Sequence, residues 1–131
     1  VHQILDLGMI PVISSIAPDE EGNAYNINAD TMCAELAVGM KAYKMMLMTD
    51  TPGILKDKDD PASLITELSI KEARKLIQDK VVNGGMIPKT VCCIKAIDNG
   101  VAEAIILNGL NEHSLLLEVF TDIGSGTRIK S

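Results

Sequence analysis

Lys44-Met45-Met46-Leu47-Met48-Thr49 is an apolar run that stops abruptly at the turn residues Asp50-Thr51-Pro52-Gly53. Periodicity alone does not separate a buried strand from a short helix here, but the length of the run and its sudden end favour a strand. Two similar segments predict a buried strand over residues 10–17 and a further strand over residues 101–107. Residues 128–130 are predicted as a last strand.

Helix-like segments lie between these strands. Ser69 and Glu72 have the spacing of a capping box, in which each side chain bonds the other residue's backbone. Asn28 or Asp30 is positioned to cap another helix. The predicted helices cover residues 32–40, 69–79, 86–99 and 114–120, and a hairpin or loop excursion occupies residues 54–68. The alternation of strands and helices predicts an α/β fold with an open, mainly parallel sheet and helices on both faces.

The composition limits the classes of partner. The chain has 131 residues, 47% of them hydrophobic, which is enough for one domain with a real core. Its net charge of -6 argues against a nucleic-acid partner, because an acidic surface repels phosphate backbones. No apolar stretch reaches the roughly 18 residues that a membrane span needs. The three cysteines lack the spacing of a metal site or a disulfide framework, which indicates buried thiols in a reducing compartment.

Asn26, Asn28 and Asp30 form the first group of candidate functional residues. They crowd the start of a predicted helix, where short polar side chains can bind polar atoms of a substrate and an aspartate can orient a lysine. The alternative is simple helix capping, which explains one of the three residues well but not all three.

The second candidate group is Gly84-Gly85-Met86-Ile87-Pro88-Lys89. Glycines before a helix let backbone N–H groups approach a phosphate. Lys89 lies in the first turn of that helix, where a cation opposes the helix dipole and therefore requires an anionic partner. The alternative is an exposed surface lysine beside a glycine break.

The third candidate group follows the strand at 44–49, where Asp50 to Leu55 form a turn at its carboxyl end. Ligands of open α/β sheets bind at such ends, although a plain turn is the alternative for this motif taken alone. The sequence contains no Walker-type phosphate loop, dinucleotide fingerprint or metal-ligand spacing, and neither histidine has a triad partner.

Together these motifs resemble the C-terminal half of the amino acid kinase family, and within it the branch that phosphorylates N-acetylglutamate. The phrases that carry the resemblance are Ile10-Pro11-Val12-Ile13, Asn26-Ile27-Asn28-Ala29-Asp30, Thr49-Asp50-Thr51-Pro52-Gly53-Ile54-Leu55, Gly84-Gly85-Met86-Ile87-Pro88-Lys89, His113-Ser114-Leu115-Leu116-Leu117-Glu118 and Gly124-Ser125-Gly126-Thr127. They span nearly the whole chain, and the C-terminal phrases resemble cyanobacterial and plastid enzymes.

The resemblance implies an ATP-dependent phosphorylation of the side-chain carboxylate of N-acetyl-L-glutamate, the second step of arginine biosynthesis. Asp30 and Lys89 would be catalytic, and Asn26 and Asn28 would bind the substrate. The implied ATP-binding residues are Asp50, Thr51, Gly53, Ile54, Leu55, Val81, Val82, Asn83 and Met86. The carboxylate would attack the γ-phosphoryl group directly, with Mg²⁺ accompanying ATP and no tightly bound cofactor.

The resemblance also implies what lies beyond residues 1–131. The family's other catalytic lysine and its phosphate loops belong to an N-terminal lobe, so we expect this chain to be a C-terminal nucleotide-binding fragment that is inactive alone. Glu118, Gly124 and Gly126 resemble the site at which arginine inhibits some members. Those members are typically hexamers, and some bind a PII-type nitrogen-signalling protein. A cytoplasmic or plastid-stroma location is implied in the same way.

Two kinds of alternative remain open at the level of sequence. The chain could belong to another member of the same family, such as a glutamate 5-kinase, a carbamate kinase or an aspartokinase. It could instead be a non-catalytic module that binds a nucleotide or arginine. The Asn26-to-Asp30 and His113-to-Glu118 phrases favour acetylglutamate over the other family members.

Overall fold

The computed structural model describes residues 1–121 and 124–131. Its helices are α1 His2–Asp6, α2 Ala29–Gly39, α3 Ile70–Gln78, α4 Met86–Asp98 and α5 Ser114–Phe120, with a 3₁₀ turn at Pro61–Ser63. Its strands are β1 Ile16–Pro18, β2 Ala24–Asn26, β3 Lys44–Thr49, β4 Glu67–Ser69, β5 Glu103–Asn108 and β6 Thr127–Lys130.

Four of the strands form one sheet in the order β3-β5-β6-β4. The β3–β5 and β4–β6 pairs are parallel, and only the β5–β6 pair is antiparallel. The predicted open and mainly parallel sheet is therefore confirmed. β1 and β2 form a separate antiparallel hairpin that leads into α2.

The main core lies on one face of this sheet, beneath α2, α3 and α4. Met45 and Leu47 of β3 face Ala104 and Ile106 of β5 in register, and all four side chains are buried in this core. Successive side chains of a strand point to opposite faces, so Ile105 belongs to the other face. It is fully buried there, and α5 packs against β5. Helices thus cover both faces, as the pattern of elements predicts.

Local sequence signals account for the helix boundaries. The Asn28 side chain accepts a hydrogen bond of 3.1 Å from the Thr31 amide and so caps α2, which resolves the choice between Asn28 and Asp30. Ser69 and Glu72 form the predicted capping box of α3. The predicted helices at 32–40, 69–79, 86–99 and 114–120 are confirmed within one to three residues at each end.

The predicted buried strand over residues 10–17 is wrong. Only its end forms a strand, β1, which pairs with β2 and not with the sheet. Residues 10–15 are irregular, and Val12 is 95% exposed. An apolar run becomes a buried strand only where a neighbouring strand pairs with its amides and a packed layer covers its side chains. In the described part of the chain, no strand of the four-stranded sheet pairs with residues 10–15, and the Ser15 carbonyl accepts its hydrogen bond, of 2.7 Å, from the Ile27 amide beyond the hairpin.

Candidate active site

A cavity of about 360 Å³ lies between the end of β3 and the start of α4. All nine predicted ATP-binding residues line it, namely Asp50, Thr51, Gly53, Ile54, Leu55, Val81, Val82, Asn83 and Met86. The remaining lining residues are Thr49, Lys58, Gly84, Gly85 and Lys89. Two segments that are distant in sequence, 49–58 and 81–89, therefore meet at the carboxyl end of β3, where the sheet topology predicts a ligand site.

The turn after β3 is pressed against the last strand of the sheet. Gly53 has a φ of +150°, and a Cβ at this position would lie 2.6 Å from Thr127 Oγ1 and 3.0 Å from the Thr127 amide nitrogen. No side chain fits there without moving β6. The absence of a side chain at Gly53 thus lets the turn pack directly against β6, and the cavity wall at this position is backbone.

Lys89 and Asp30 form an ion pair at the edge of this cavity. Lys89 Nζ lies 2.9 Å from Asp30 Oδ1 and 3.0 Å from Asp30 Oδ2. Both side chains are mostly buried, with 21% and 16% of their surface exposed. Asp30 lies near the N-terminus of α2, where the helix dipole favours a carboxylate. Lys89 lies near the N-terminus of α4, where the dipole disfavours a cation, and the charge of Asp30 offsets this cost. Asp30 therefore fixes the direction in which Lys89 presents its charge.

The backbone amides at the start of α4 are less available than the glycine pair suggests. The Met86 amide donates a hydrogen bond of 3.1 Å to the Asn83 carbonyl, and the Ile87 amide donates one of 3.2 Å to the Gly84 carbonyl. Pro88 has no amide hydrogen. The Gly84 and Gly85 amides make no such backbone bond to a described residue and line the cavity, and the full positive charges among the lining residues are those of Lys58 and Lys89.

One polar atom in the cavity wall has no partner. Thr51 Oγ1 is enclosed and makes no hydrogen bond to any described residue. Buried hydroxyl groups nearly always have a partner, so an unpaired one in a cavity wall is typical of a site that receives a polar ligand atom. Among the described residues, no group of three or more His, Cys, Asp or Glu side chains could hold a metal ion.

Asn26 and Asn28 lie outside the cavity. Asn28 caps α2, and Asn26 pairs with Ile16 across the β1–β2 hairpin with an exposed side chain. The three polar residues at 26–30 thus divide into a helix cap, a lysine partner and an exposed asparagine. Substrate binding by Asn26 and Asn28 stays a prediction.

The predicted arginine-site residues surround a buried ion pair. Glu118 is 3% exposed, and its carboxylate accepts hydrogen bonds of 3.1 Å from Arg128 Nη2 and 2.8 Å from the Ser125 amide. Gly124 approaches the same carboxylate, since a Cβ there would lie 2.9 Å from Glu118 Oε2. A Cβ on Gly126 would lie 2.2 Å from the Ile106 carbonyl oxygen. These three residues therefore have structural roles, and their role in binding an effector stays a prediction.

Arg128 connects this ion pair to the sheet. Its Nε lies 3.2 Å from Glu103 Oε2, without the geometry of a hydrogen bond, and Lys44 lies 3.4 Å from the other Glu103 oxygen. The hydrogen bond to Glu118 raises the pKa of the Arg128 guanidinium above its ordinary value. The predicted effector segment also contains Asp122 and Ile123, which lie outside the described residues.

The cysteines pack between α2 and α4 close to the Asp30–Lys89 pair. Cys93 is buried, and burial strongly raises the pKa of its thiol. Burial also raises the pKa of the Cys33 thiol. The raised pKa keeps these two thiols protonated at neutral pH. The prediction of buried cysteines is confirmed only for Cys93, because Cys33 and Cys92 are half-buried.

A known protein family matches most of the chain. The pattern of the family described as "Amino acid kinase family" matches residues 1–108. The chain belongs to the amino acid kinase family. Within this amino acid kinase chain, the match ends after β5, so α5 and β6 lie beyond it.

Individual relatives are acetylglutamate kinases. The enzyme of Synechococcus sp. (strain RCC307) is 62% identical over 96% of this chain, and that of Acaryochloris marina (strain MBIC 11017) is 55% identical over 98%. The aligned region amounts to 43% and 45% of those two proteins, so this amino acid kinase chain spans less than half their length.

Solved structures show the same fold. The N-acetylglutamate synthase of Neisseria gonorrhoeae, in complex with coenzyme A and L-arginine, superposes with a TM-score of 0.90 at 29% identity, over 98% of this chain and 29% of that one. The carbamate kinase of Giardia lamblia bound to AMP-PNP has a TM-score of 0.66 at 21% identity, over 88% and 36% of the two chains. None of the helices in the described part of this amino acid kinase chain is long and apolar enough to cross a bilayer.

Proposed function

We propose that this chain is the C-terminal, nucleotide-binding lobe of an acetylglutamate kinase. The complete enzyme would transfer the γ-phosphoryl group of ATP to the side-chain carboxylate of N-acetyl-L-glutamate, a step of arginine biosynthesis. One observation carries the proposal. Lys89, which Asp30 orients, lies at the edge of a cavity, and the nine residues expected to bind the nucleotide all line that cavity.

The chemistry of the cavity suits a nucleotide. Its wall combines apolar side chains such as Ile54, Leu55 and Val82, which can cover an adenine ring, with the unpaired hydroxyl of Thr51. Lys58 and Lys89 both line the cavity and can face the phosphates. Mg²⁺ would be held chiefly by those phosphates, as is usual for this ion, and Asp50 is the carboxylate that lines the cavity.

The proposed reaction is a direct displacement. A carboxylate oxygen of acetylglutamate attacks the γ-phosphorus, the bond to the bridging oxygen breaks, and ADP leaves as the acyl phosphate forms. No proton needs to be removed from the ionised carboxylate. The protein therefore acts by positioning the two reactants and by stabilising charge on the transferring group. Lys89 is suited to the second role because Asp30 holds its ammonium in place before the reaction begins.

A substrate comparison tests this proposal in the complete enzyme. With Mg²⁺ and ATP, we expect acetylglutamate to support ADP formation far better than glutamate, aspartate or carbamate. Lys89→Met serves as the control, because it removes the charge but keeps most of the side chain's length. A preference for one of the other three acceptors would assign the chain to that branch of the family. Nucleotide binding without turnover of any acceptor would favour the non-catalytic module.

We also propose that the Glu118 region binds arginine as an inhibitor. Two observations support this: the Glu118 carboxylate already accepts a hydrogen bond from a guanidinium, that of Arg128, and a similar solved structure holds L-arginine. A hexameric assembly, a PII-type signalling partner and a cytoplasmic or plastid location remain proposals that follow from the similarity to cyanobacterial enzymes.

Glu118→Gln tests the arginine proposal. The change keeps the shape of the side chain beside Gly124 but removes its charge, so a charge-assisted bond to arginine is lost. We expect the arginine concentration for half-inhibition to rise about tenfold or more, with the uninhibited rate nearly unchanged. Glu103→Gln is the matched control, since Glu103 also pairs with Arg128. An unchanged inhibition midpoint in Glu118→Gln would contradict the assignment.

A further inference from the structure

The hydroxyl group of Thr127 connects the last strand to both ends of a loop that lines the cavity. Thr127 is fully buried, at 0% exposure. Its Oγ1 accepts a hydrogen bond of 2.8 Å from the Ile54 amide and donates one of 2.7 Å to the Ile65 carbonyl. Residues 54 and 65 are the two ends of the 54–65 excursion, which is the part of the loop between β3 and β4 that precedes Thr66. One side chain therefore binds both ends of this excursion.

The excursion is otherwise attached mainly to itself. The Ile65 amide donates to the Ile54 carbonyl at 2.9 Å, and the Lys56 amide donates to the Ser63 carbonyl at 3.0 Å. Ser63 Oγ also donates to the Asp57 and Asp60 carbonyls. These bonds give the excursion its shape but do not fix where it lies against the sheet. That position depends on the contacts with β6. The Thr127 hydroxyl provides two hydrogen bonds, and the Arg128 amide donates a third, of 2.9 Å, to the carbonyl of Thr66, the residue after Ile65.

The same segment forms one wall of the candidate nucleotide cavity. Gly53, Ile54, Leu55 and Lys58 all line it. Gly53 is in close contact with Thr127, so this wall has no space to move toward β6. A shift in the Thr127 contacts therefore moves the wall and the Lys58 charge together.

We propose that Thr127 is a positioning residue for nucleotide binding, which acts by holding the 54–65 excursion against the cavity. The inference rests on the proposed function, because it assumes that the cavity receives ATP. Thr127 does not reach the cavity itself, so its effect passes through the Ile54 amide and the Ile65 carbonyl.

A purely structural role makes a different prediction. If Thr127 served only to fill space in the core, valine would replace it without effect, because the two side chains have nearly the same shape. If the hydroxyl positions the loop, valine leaves the Ile54 amide and the Ile65 carbonyl without partners, whereas serine keeps both hydrogen bonds. Thr127→Val and Thr127→Ser therefore separate shape from hydrogen bonding.

The experiment uses the complete enzyme and two measurements. The first is deuterium uptake over residues 54–65 without nucleotide, which does not depend on activity. We expect faster uptake in Thr127→Val and parent-like uptake in Thr127→Ser. The second is steady-state kinetics, in which we expect Thr127→Val to raise the KM for ATP about tenfold. The KM for acetylglutamate should stay within about twofold of the parent, and Thr127→Ser should restore the KM for ATP.

Each outcome decides the proposal. Parent-like uptake or a parent-like KM for ATP in Thr127→Val overturns it. An equal rise in both KM values, or no rescue by serine, also overturns it and leaves Thr127 a core residue. A parent protein that does not bind ATP overturns the proposed function and the nucleotide part of this inference, while the uptake comparison still decides whether Thr127 holds the excursion.

Discussion

Lys89 and Lys95 lie on the same helix, and each pairs with an acidic residue of α2. The Lys95–Glu35 pair is open to solvent, with more than half of each side chain exposed, whereas the Lys89–Asp30 pair is mostly buried. Lys95 lies near the end of α4, where a cation is favoured by the helix dipole, and Lys89 lies near its start, where a cation is disfavoured. The same two helices thus carry two lysine–carboxylate pairs that can be compared directly, Lys95–Glu35 at the surface and Lys89–Asp30 at the edge of the cavity.

This comparison leads to a prediction about catalysis in the complete enzyme. Lys89→Met and Asp30→Asn should each lower kcat by about 10²–10³, the usual loss for one electrostatic contact to a transition state. Both variants should still fold. Lys95→Met should leave kcat within about twofold, because an exposed pair contributes little. Steady-state rates and circular dichroism check these expectations.

A rate for Lys89→Met equal to that of Lys95→Met would show that Lys89 is an ordinary helix residue. Asp30→Asn adds a second discrimination, because asparagine would serve as well as aspartate if Asp30 only stabilised the start of α2. Normal turnover in both variants would remove the catalytic assignment of Lys89 and Asp30.

Helix α3 begins with a capping box formed by Ser69 and Glu72, and this local signal contributes to the stability of the helix. The Glu72 carboxylate accepts hydrogen bonds of 2.7 Å from the Ser69 hydroxyl and 2.8 Å from the Ser69 amide. These bonds lower the pKa of Glu72 below its ordinary value of 4.5. The folded state therefore prefers the ionised form of Glu72, and this contribution to stability is present above pH 4.5 and lost as the pH falls through the lowered pKa.

Glu72→Gln should reveal this dependence. Glutamine also occurs in capping boxes but does not titrate. We expect the parent to have the higher Tm near neutral pH, and the difference in Tm to shrink as the pH falls below about 4.5. Glu20→Gln, at an exposed loop position, is the control for the loss of a carboxylate outside a capping box. A difference for Glu72→Gln that is constant with pH would contradict the prediction.

The elements found from sequence are those with a strong local signal. Capping residues, helical spacing and abrupt apolar runs predict α2 to α5, β3, β5 and β6 correctly. The short strand β4 was not predicted, because it contributes only one buried side chain, Leu68, and forms by pairing with the distant β6. Residues 10–17 fail for the opposite reason, since their local signal is strong but no described strand of the sheet pairs with them.

The cavity shows the same division between local and distant information. The turn after β3 and the segment at 81–86 were found because they resemble family phrases. Lys58 was missed because a lysine at the tip of a charged loop carries no pattern. Thr127 was missed because its importance comes from residues more than sixty positions away, Ile54 and Ile65. No local rule connects a strand threonine to a distant loop.

At the scale of the whole molecule, the question is whether the described residues are sufficient for catalysis. Lys58 and Lys89 are the cations that line the cavity in the described part of the chain, and Lys89 is already paired with Asp30. Phosphoryl transfer requires charge stabilisation on several oxygens and a bound acceptor. Asn26 and Asn28, the expected acceptor ligands, do not line the cavity.

We therefore predict that residues 1–131 alone do not catalyse the reaction. The purified chain, mixed with ATP, Mg²⁺ and acetylglutamate, should form ADP no faster than the Lys89→Met variant of the same chain. The complete enzyme is the positive control. Turnover of about 1–100 per second by the isolated chain, as in ordinary kinases, would contradict the prediction.

The position of β6 inside the sheet has a consequence for protein synthesis. β6 lies between β5 and β4, so among the described strands β4 has no neighbour until β6 has been made. Roughly sixty residues separate the two strands, which a ribosome adds in ~3–12 s at about 5–20 residues per second. During that interval the side chain of Leu68 and the apolar side chains of α3 have no completed sheet to pack against. The emerging chain thus keeps apolar surface exposed for several seconds, and a chaperone that binds nascent chains would find its target in this interval.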